Sequence, residues 1–226
     1  MSWVPNYVVI PTHNRHQLVS NLAYSLINDV DKIFIIDNAS TPRVTCSTFD
    51  IDCRKIYIIR DNEQPPNLSR LWNIGLNAAR CHARNFDAAR WNVAILNDDT
   101  VLPHDWYPTV SRELRAHNVA VACGSLFSQV HTSIIKTEPD NDLMTRMTPW
   151  AFITRGELGL RGDESMRWWW GDTDFDWTAR KRGGMMIIPG YVTTNVLANS
   201  TTTGVLMEQA GRDRETFRLK WGHNPW

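Results

Sequence analysis

A pair of adjacent carboxylates, Asp98 and Asp99, directly follows a short apolar run in residues 91–100 (WNVAILNDDT). Carboxylates at the end of a buried strand are costly unless a positive group compensates them. A divalent cation that bridges a substrate phosphate is a common partner, because Mg²⁺ and Mn²⁺ prefer oxygen ligands. The segment therefore predicts a metal-dependent enzyme that acts on a phosphorylated donor. Helix capping is the alternative, because the pair precedes a turn at Pro103 and aspartate caps helices well.

Residues 168–176 (WWWGDTDFD) form a second group of side chains that could do chemistry. Thr173 and Asp176 have the spacing of a capping box, which predicts that Thr173 is the N-cap of a helix. Asp172 would then lie just outside the helix and be free to point into a cleft. The alternative for Asp172 and Asp174 is structural, since negative charge stabilises a helix N-terminus.

Three consecutive tryptophans precede these carboxylates, and they cannot all face the core from one strand or loop. At least one should be exposed. Aromatic faces stack on the apolar side of sugar rings, and large exposed aromatic side chains often mark a binding surface. Ordinary packing against Met166 and Met185 is the alternative for any single one of them.

The elements that position these groups follow from the spacing of apolar residues. Apolar runs predict strands at 7–11, 32–36, 55–59, 93–96, 119–123, 150–154 and 185–188. Helical periodicity predicts helices at 16–27, 68–84, 106–117, 173–183 and 211–221. This alternation predicts an α/β domain with a mostly parallel central sheet flanked by helices. Residues 128–149 are polar, and they are predicted to form a mobile loop or an irregular pair of strands.

Polar residues follow each of the first four predicted strands. Because the carboxyl ends of parallel strands meet at one edge of a sheet, these residues should line a single crevice. They are Thr12, Asn14 and Arg15, then Asp37 and Asn38, then Arg60 and Asp61, and finally residues 97–100.

Composition narrows the class of protein. The 226 residues carry 24 Lys and Arg against 24 Asp and Glu, so the formal net charge is zero, which gives no electrostatic case for nucleic acid. No apolar run is long enough to predict a membrane-spanning helix, and the N-terminus lacks the pattern of a signal peptide. The four cysteines, which lack CxxC spacing, favour free thiols in the cytoplasm over a zinc site. The length predicts one domain over 1–226.

Five segments in order resemble the motifs of GT-A fold glycosyltransferases of the family 2 type. They are residues 8–15 (VVIPTHNR), 35–40 (IIDNAS), 67–75 (NLSRLWNIG), 96–100 (LNDDT) and 172–174 (DTD), the last followed by a basic, glycine-ended helix. The resemblance runs from Val8 to about Pro189. Ser69 replaces the first glycine of its motif, Gly171 replaces the usual glutamate, and Asn97 takes the first position of the acidic motif, where other members often carry aspartate.

The resemblance implies a GT-A, Rossmann-like fold and an inverting transferase that uses a nucleotide-diphosphate sugar. The nucleotide sugar would bind within about 1–125 and the acceptor within about 126–204, with a tail helix over 205–226. UDP is the carrier expected from family frequency, with GDP and dTDP open. The acceptor is a glycan, a lipid-linked carrier or a protein hydroxyl, which the sequence does not distinguish.

On the donor side, the resemblance implies that Asp99 binds Mn²⁺ or Mg²⁺ on the diphosphate and that Asp98 assists or contacts the ribose. Asn97 would contact sugar or ribose, and Asp37 the base or ribose unless it is only a turn residue. Arg15 could pair with a phosphate or with a carboxylate such as Asp37. The remaining residues expected there are Pro11, Thr12, Asn14, Asn38, Asn67 and Asn73 facing the nucleotide, Arg70 on a phosphate or a solvated helix face, and Lys220 near the diphosphate.

On the acceptor side, the resemblance implies that Asp172 is the base that deprotonates the acceptor hydroxyl, with Asp174 as the alternative. The acceptor sugar would contact Trp150, Trp169, Trp170 and Gly171. Family members that use a metal often add a late histidine ligand, and His223 is the candidate, with a surface tail histidine as the alternative.

Two other functions fit parts of the pattern. A sugar nucleotidyltransferase would need a glycine-rich, basic loop after the first strand, and residues 11–15 (PTHNR) contain no glycine. A non-catalytic sugar- or nucleotide-sugar-binding module would not need both Asp99 and Asp172. The transferase hypothesis requires that these two carboxylates line the same cavity.

Overall fold

The computed structural model describes residues 3–49, 51, 53–197 and 202–224. These residues form a large sheet, a two-stranded ribbon and helices that pack on both faces of the large sheet. The strands are β1 (Asn6–Thr12), β2 (Lys32–Asn38), β3 (Ile56–Asp61), β4 (Asn92–Leu96), β5 (Thr100–Val101), β6 (Val121–Gly124), β7 (Ile134–Lys136), β8 (Ala151–Arg155), β9 (Met185–Ile188) and β10 (Thr194–Asn195). The helices are α1 (His16–Leu26), α2 (Leu68–Asn85), α3 (Trp106–Ala116), α4 (Gly171–Gly183) and α5 (Val205–Trp221).

The large sheet has the strand order β3–β2–β1–β4–β8–β6–β9–β7. The first four of these strands are mutually parallel, and β6 is parallel to β9. Only β8 and the edge strand β7 run antiparallel to their neighbours. The predicted α/β fold, with a mostly parallel sheet flanked by helices, is therefore confirmed.

Alternate side chains of the central strands fill two separate cores, as the two-residue period of a strand requires. Val8 and Ile10 of β1 belong to the core shared with α1 and α3, and Val9 belongs to the core shared with α2 and α4. Gly75 of α2 permits close contact with β1, because a β-carbon there would lie 2.2 Å from Cγ1 of Val9. The helix can therefore lie directly on the strand that leads into the crevice.

A small ribbon folds the chain after β9 back onto the acidic motif. β10 pairs antiparallel with β5, and Asn195 lies opposite Thr100. The amide of Val196 donates to the carbonyl of Asp99 at 2.8 Å. Backbone bonds between these segments therefore hold the two aspartates at the end of β4.

Two predicted helix starts differ from the structure. α4 begins at Gly171 and not at Thr173, and α5 begins at Val205 and not at residue 211. The first turn of α5 leaves Val205 and Met207 exposed, so its apolar residues do not recur on one face and give no helical signal. The polar segment 128–149 contains the edge strand β7.

Some predictions fall beyond what the structure can describe. Residues 198–201, in the predicted acceptor-side half, and 225–226, in the predicted tail, lie outside the described residues. The single domain, its division into halves and the cytoplasmic location stay predictions. Within the described residues, no helix is both long enough and apolar enough to cross a membrane. None of the four cysteines forms a disulfide with another described residue.

Candidate active site

Polar residues at the carboxyl ends of β1, β2 and β4 surround one cavity of about 710 Å³. Its other walls come from the starts of α2, α4 and α5, from residues within 64–66 and 146–150, and from the residues before α4 and after β9. Asp99 and Asp172, 73 positions apart in the chain, both line it. The other predicted site residues in its wall are Pro11, Thr12, Arg15, Asn38, Asn97, Asp98, Trp150, Trp169 and Gly171.

Asp98, Asp99 and Arg15 form a buried charge cluster at one end of the cavity. The aspartates are 5% and 7% exposed. The hydroxyl of Thr12 donates to Oδ2 of Asp98 at 2.8 Å, and Nη1 of Arg15 donates to Oδ1 of Asp98 at 2.8 Å. The same Nη1 lies 3.7 Å from Oδ2 of Asp99. Arg15 therefore pairs with these carboxylates, which follow the neighbouring strand β4, and not with the predicted alternative Asp37.

Burial raises the pKa of both carboxyls in this cluster above the ordinary range of aspartate. For Asp99 the charge of Asp98 raises the pKa further, and Arg15 lowers it again. For Asp98 the charge and hydrogen bond of Arg15 offset part of the rise. Additional positive charge in the cavity would therefore stabilise the ionised form of both carboxylates.

A divalent cation fits this cluster on both charge and oxygen supply. Two buried carboxylates share one guanidinium, which leaves one formal negative charge uncompensated. The described residues contain no group of three or more His, Cys, Asp or Glu side chains that could enclose a metal. Mg²⁺, however, usually takes one or two carboxylates and completes its shell with water and substrate phosphates. Asp99 with Asp98 thus fits a cation that binds together with a phosphorylated ligand.

Asp172 lies on the first turn of α4 and forms an ion pair with Arg146. Both side chains are 17% exposed and both line the cavity. The guanidinium orients the carboxylate, which remains open to the cavity. Sequence reasoning missed Arg146, because it lies in the polar segment 128–149, which carries no periodic signal.

The start of α4 differs from the predicted capping box. Trp170 is the N-cap residue with φ 67°, and its carbonyl accepts from the amide of Asp174 at 2.8 Å. The hydroxyl of Thr173 is buried without a hydrogen-bond partner, and Asp176 pairs with Arg180 at 2.8 Å. The predicted capping box does not form, because the carboxylate of Asp176 pairs with Arg180. The predicted position of Asp172 outside the helix is also wrong, because α4 begins one residue earlier, at Gly171. Asp172 nevertheless reaches the cavity from within the first turn.

Aromatic side chains form the wall next to Asp172. Trp169 is 40% exposed and lines the cavity together with Trp150 and Trp168. Trp168 was not among the predicted site residues. Trp170, predicted to contact an acceptor, does not line the cavity and packs against the cluster of Met166, Trp177 and Phe217. Its ring also lies 5.8 Å from that of Trp169, centroid to centroid.

Asp37 is 1% exposed and does not line the cavity. Its carboxylate binds Nη1 of Arg60 at 2.5 Å and the amides of Ser40 and Val44 at 3.1 and 3.2 Å. Burial raises the pKa of Asp37, but these hydrogen bonds outweigh it and the pKa ends below the ordinary value. This arrangement matches the turn residue of the alternative prediction, and it is Asn38 that faces the cavity.

Asn67, Asn73 and Arg70 of the α2 region do not line the cavity, in contrast to the prediction for the nucleotide side. Asn67 caps α2 through a bond from the amide of Arg70 at 3.0 Å and donates to the carbonyl of Glu164 at 3.0 Å. Asn73 exchanges two bonds of 2.9 Å with the backbone of Gly162. The two asparagines thus hold residues 162–164 against α2.

Arg70 pairs with Asp61 at 3.0 Å and with Glu63 at 2.7 Å. Asn14 adopts φ 56° and binds the backbone of Thr41 and the hydroxyl of Ser40, which fixes the neighbouring turn. Arg70 and Asn14, both predicted on the donor side, therefore bind other residues of the protein, and neither lines the cavity.

Asp174 of α4 and two predicted residues near the C-terminus also lie outside the cavity wall. Lys220 pairs with Asp174 at 2.8 Å and with Asp163 at 2.7 Å, so neither Lys220 nor Asp174 faces the cluster of Asp98 and Asp99. Asp174 is 1% exposed and anchors α5. His223 is exposed beyond the end of α5, and it joins no metal-binding group among the described residues.

Comparison with known proteins adds a family and a fold. The family model described as glycosyl transferase family 2 matches residues 7–170. No curated protein matches the sequence significantly. Among solved structures, the crystal structure of residues 1–349 of TarS from S. aureus is similar, with a TM-score of 0.59 and 11% identity over 96% of this chain and 72% of that one. At this identity the likeness shows a shared fold.

Proposed function

Because the chain belongs to glycosyl transferase family 2, we propose that it transfers a sugar, with inversion, from a UDP-sugar to an acceptor hydroxyl. The observation that carries this proposal is the shared cavity of Asp99 and Asp172. One carboxylate follows β4 and the other begins α4, so two remote segments present acidic groups to one bound molecule. A module that only binds a sugar or a nucleotide sugar would not require both of these carboxylates in one cavity.

The donor diphosphate binds at the cluster of Asp98, Asp99 and Arg15. Asp99, with Asp98, would hold Mn²⁺ or Mg²⁺, which supplies positive charge to the leaving diphosphate. Arg15 lies within reach of both carboxylates and adds a fixed positive charge beside them. Asn97 is a neutral polar group of this wall available to ribose, base or sugar. Asn38 lines the same wall, but its side-chain amide is bonded to Asp61, Glu63 and Gln64.

The acceptor hydroxyl binds beside Asp172. In the transfer, the acceptor oxygen forms a bond to the anomeric carbon while the bond from that carbon to the diphosphate oxygen breaks. Asp172 accepts the hydroxyl proton, and the nucleoside diphosphate leaves with the electron pair of the broken bond. Attack from the side opposite the leaving group inverts the anomeric centre.

Arg146 and the tryptophans set the geometry of this half of the site. The ion pair with Arg146 holds the carboxylate of Asp172 at the cavity wall, where it remains partly exposed. Trp150 and Trp169 offer apolar faces on which a sugar ring can stack, which orients a hydroxyl toward the base.

Nucleotide release from a panel of UDP-, GDP- and dTDP-sugars, measured with MnCl₂, MgCl₂ or EDTA, tests the proposal. Water serves as the acceptor in this assay. We expect release from one UDP-sugar, dependent on a divalent cation and lost in Asp172→Asn. Nucleotide binding without release from any donor would favour a non-catalytic binding module, and release unaffected by EDTA would remove the cation from the mechanism.

A further inference from the structure

The buried carboxylate of Asp213, on α5, holds the residues that precede Asp172. Its Oδ2 accepts from the amides of Trp168 at 2.7 Å and Trp169 at 2.9 Å. Its Oδ1 accepts from Nε2 of Gln209 at 2.6 Å. Asp213 is 0% exposed, and no cationic side chain among the described residues pairs with it. Hydrogen bonds alone therefore compensate its charge.

Burying a carboxylate without a cation costs desolvation free energy that apolar packing between two elements would not cost. α5 already has an apolar contact to α4, because the ring of Phe217 lies 4.9 Å from that of Trp177, centroid to centroid. Packing of this kind would attach the helix without Asp213. The carboxylate instead fixes two backbone amides, which apolar packing cannot do.

The two amides belong to side chains in the cavity wall. Trp168 and Trp169 both line the cavity, and both indole N–H groups donate to the hydroxyl of Thr202, at 2.9 and 2.8 Å. The next residue, Trp170, adopts the left-handed backbone that starts α4, a conformation that a tryptophan keeps only when its surroundings impose it. Asp172 follows two residues later.

A second contact from α5 holds the other side of Asp172. Nζ of Lys220 and Nε1 of Trp221 both lie 2.8 Å from Oδ1 of Asp174. α5 therefore holds the backbone before Asp172 and a side chain after it. This helix lies beyond residue 170, where the family match ends.

From these contacts we infer that Asp213 is a positioning residue, through which α5 sets the tryptophan wall and the carboxylate of Asp172. The inference rests on the proposed function, in which Asp172 takes the proton of the acceptor. α5 would thus contribute to the active site through its contacts with the residues around Asp172, although no residue of its last three turns lines the cavity.

Two variants test the role of the Asp213 carboxylate. Asp213→Asn keeps one oxygen for the two backbone amides but places its N–H₂ against the donating amide of Gln209, so the side chain loses the bond that orients it. Gln209→Glu with Asp213→Asn reverses donor and acceptor and restores it, because the carboxylate introduced at position 209 can still accept from Arg212 as Gln209 does. Phe217→Leu is the control, since it loosens α5 without touching the polar network.

Turnover is measured as UDP release from the active UDP-sugar, and binding as the affinity for UDP with MnCl₂. We expect Asp213→Asn to lower kcat at least tenfold with UDP affinity within twofold of wild type. The double variant should recover kcat to within threefold, and Phe217→Leu should lower thermal stability but keep kcat. Wild-type kcat in Asp213→Asn, or no recovery in a folded double variant, overturns the inference.

Amide hydrogen exchange at Trp168 and Trp169 separates this inference from the proposed function. We expect exchange at least tenfold faster in Asp213→Asn than in wild type, with recovery in the double variant. If wild type releases UDP from no donor, the proposed function fails, while slow exchange would still support the tether. Unchanged exchange in Asp213→Asn overturns the tether itself.

Discussion

The hydroxyl oxygen of Ser69 lies 2.6 Å from the point where a β-carbon at Gly171 would stand. Ser69 and Gly171 are both positions at which the sequence departs from the motifs that it resembles, and the structure places them next to each other. Ser69 is 1% exposed and donates to the carbonyl of Met166 at 2.7 Å. The serine occupies space that a side chain at 171 would need, so the two departures compensate each other.

This contact predicts that substitutions at the two positions are coupled. Gly171→Ala should destabilise the protein by about 1–2 kcal/mol, because the new methyl group displaces the Ser69 hydroxyl from its hydrogen bond. In the Ser69→Ala background the same change should cost about 1 kcal/mol less. Urea unfolding of the four proteins gives the coupling energy, and additive free energies would contradict the prediction.

Substitution of Asp172 and of Asp174, which lie on the same turn of α4, should affect activity and stability differently. Asp172→Asn should lower the rate of nucleotide release by about 10²–10⁴-fold, because it removes the base, and should leave UDP affinity nearly unchanged. Asp174→Asn keeps its bond from Trp221 but loses the charge opposite Lys220. We expect it to cost roughly 1–3 kcal/mol of stability and less than tenfold in rate. Steady-state kinetics and urea unfolding of both variants decide this, and equal rate losses would reject Asp172 as the specific base.

Asp99 should govern the requirement for the divalent cation. Asp99→Asn keeps the shape of the side chain but removes a charge from the cluster with Asp98, so the Mn²⁺ concentration for half-maximal UDP binding should rise at least tenfold, roughly 1.4 kcal/mol or more. Calorimetric titration of Mn²⁺ into protein with UDP measures this. Glu63→Gln, which alters a carboxylate paired with Arg70 outside the cavity wall, is the matched control. An unchanged Mn²⁺ requirement in Asp99→Asn would exclude Asp99 as the ligand.

Glu157 should account for part of the stability lost in acid. Burial raises its pKa, but hydrogen bonds and charge from Arg115, with help from Arg155, outweigh burial and lower the pKa from 4.5 to about 2. A carboxyl with a lowered folded-state pKa stabilises the protein above its unfolded pKa and loses that contribution as pH falls through the folded one. The loss should therefore occur between about pH 4.5 and pH 2 and amount to roughly 3 kcal/mol.

Urea unfolding of wild type and Glu157→Gln over this pH range checks the assignment. The variant should be less stable at pH 7 and should show a shallower decline in acid. Glu215→Gln, at an exposed ion pair with Arg218, should follow the wild-type curve. A parallel decline in wild type and Glu157→Gln would contradict the assignment.

Much of the positioning was predictable, because it depends on local pattern. Apolar runs of period two define the strands, and polar residues at their carboxyl ends must meet at one edge of a parallel sheet. Thr12, Asn38 and the residues 97–99 line the cavity for this reason. The prediction failed where a polar side chain has a choice of partner. Asn73 binds the backbone of Gly162, 89 residues away, and nothing in the local sequence indicates that choice.

The order of elements, the sheet edge that carries the site and the two acidic segments could all be read from the amino-acid sequence, because periodicity and chain connectivity are local properties. The packed fold was needed to show that Arg146 faces Asp172, that Arg15 pairs with Asp98, and that Asp213 accepts from the amide of Trp168. Partners of buried charges are selected by whichever groups the packed fold brings within hydrogen-bond distance. That selection depends on contacts between residues remote in the chain, and so it appears only after folding.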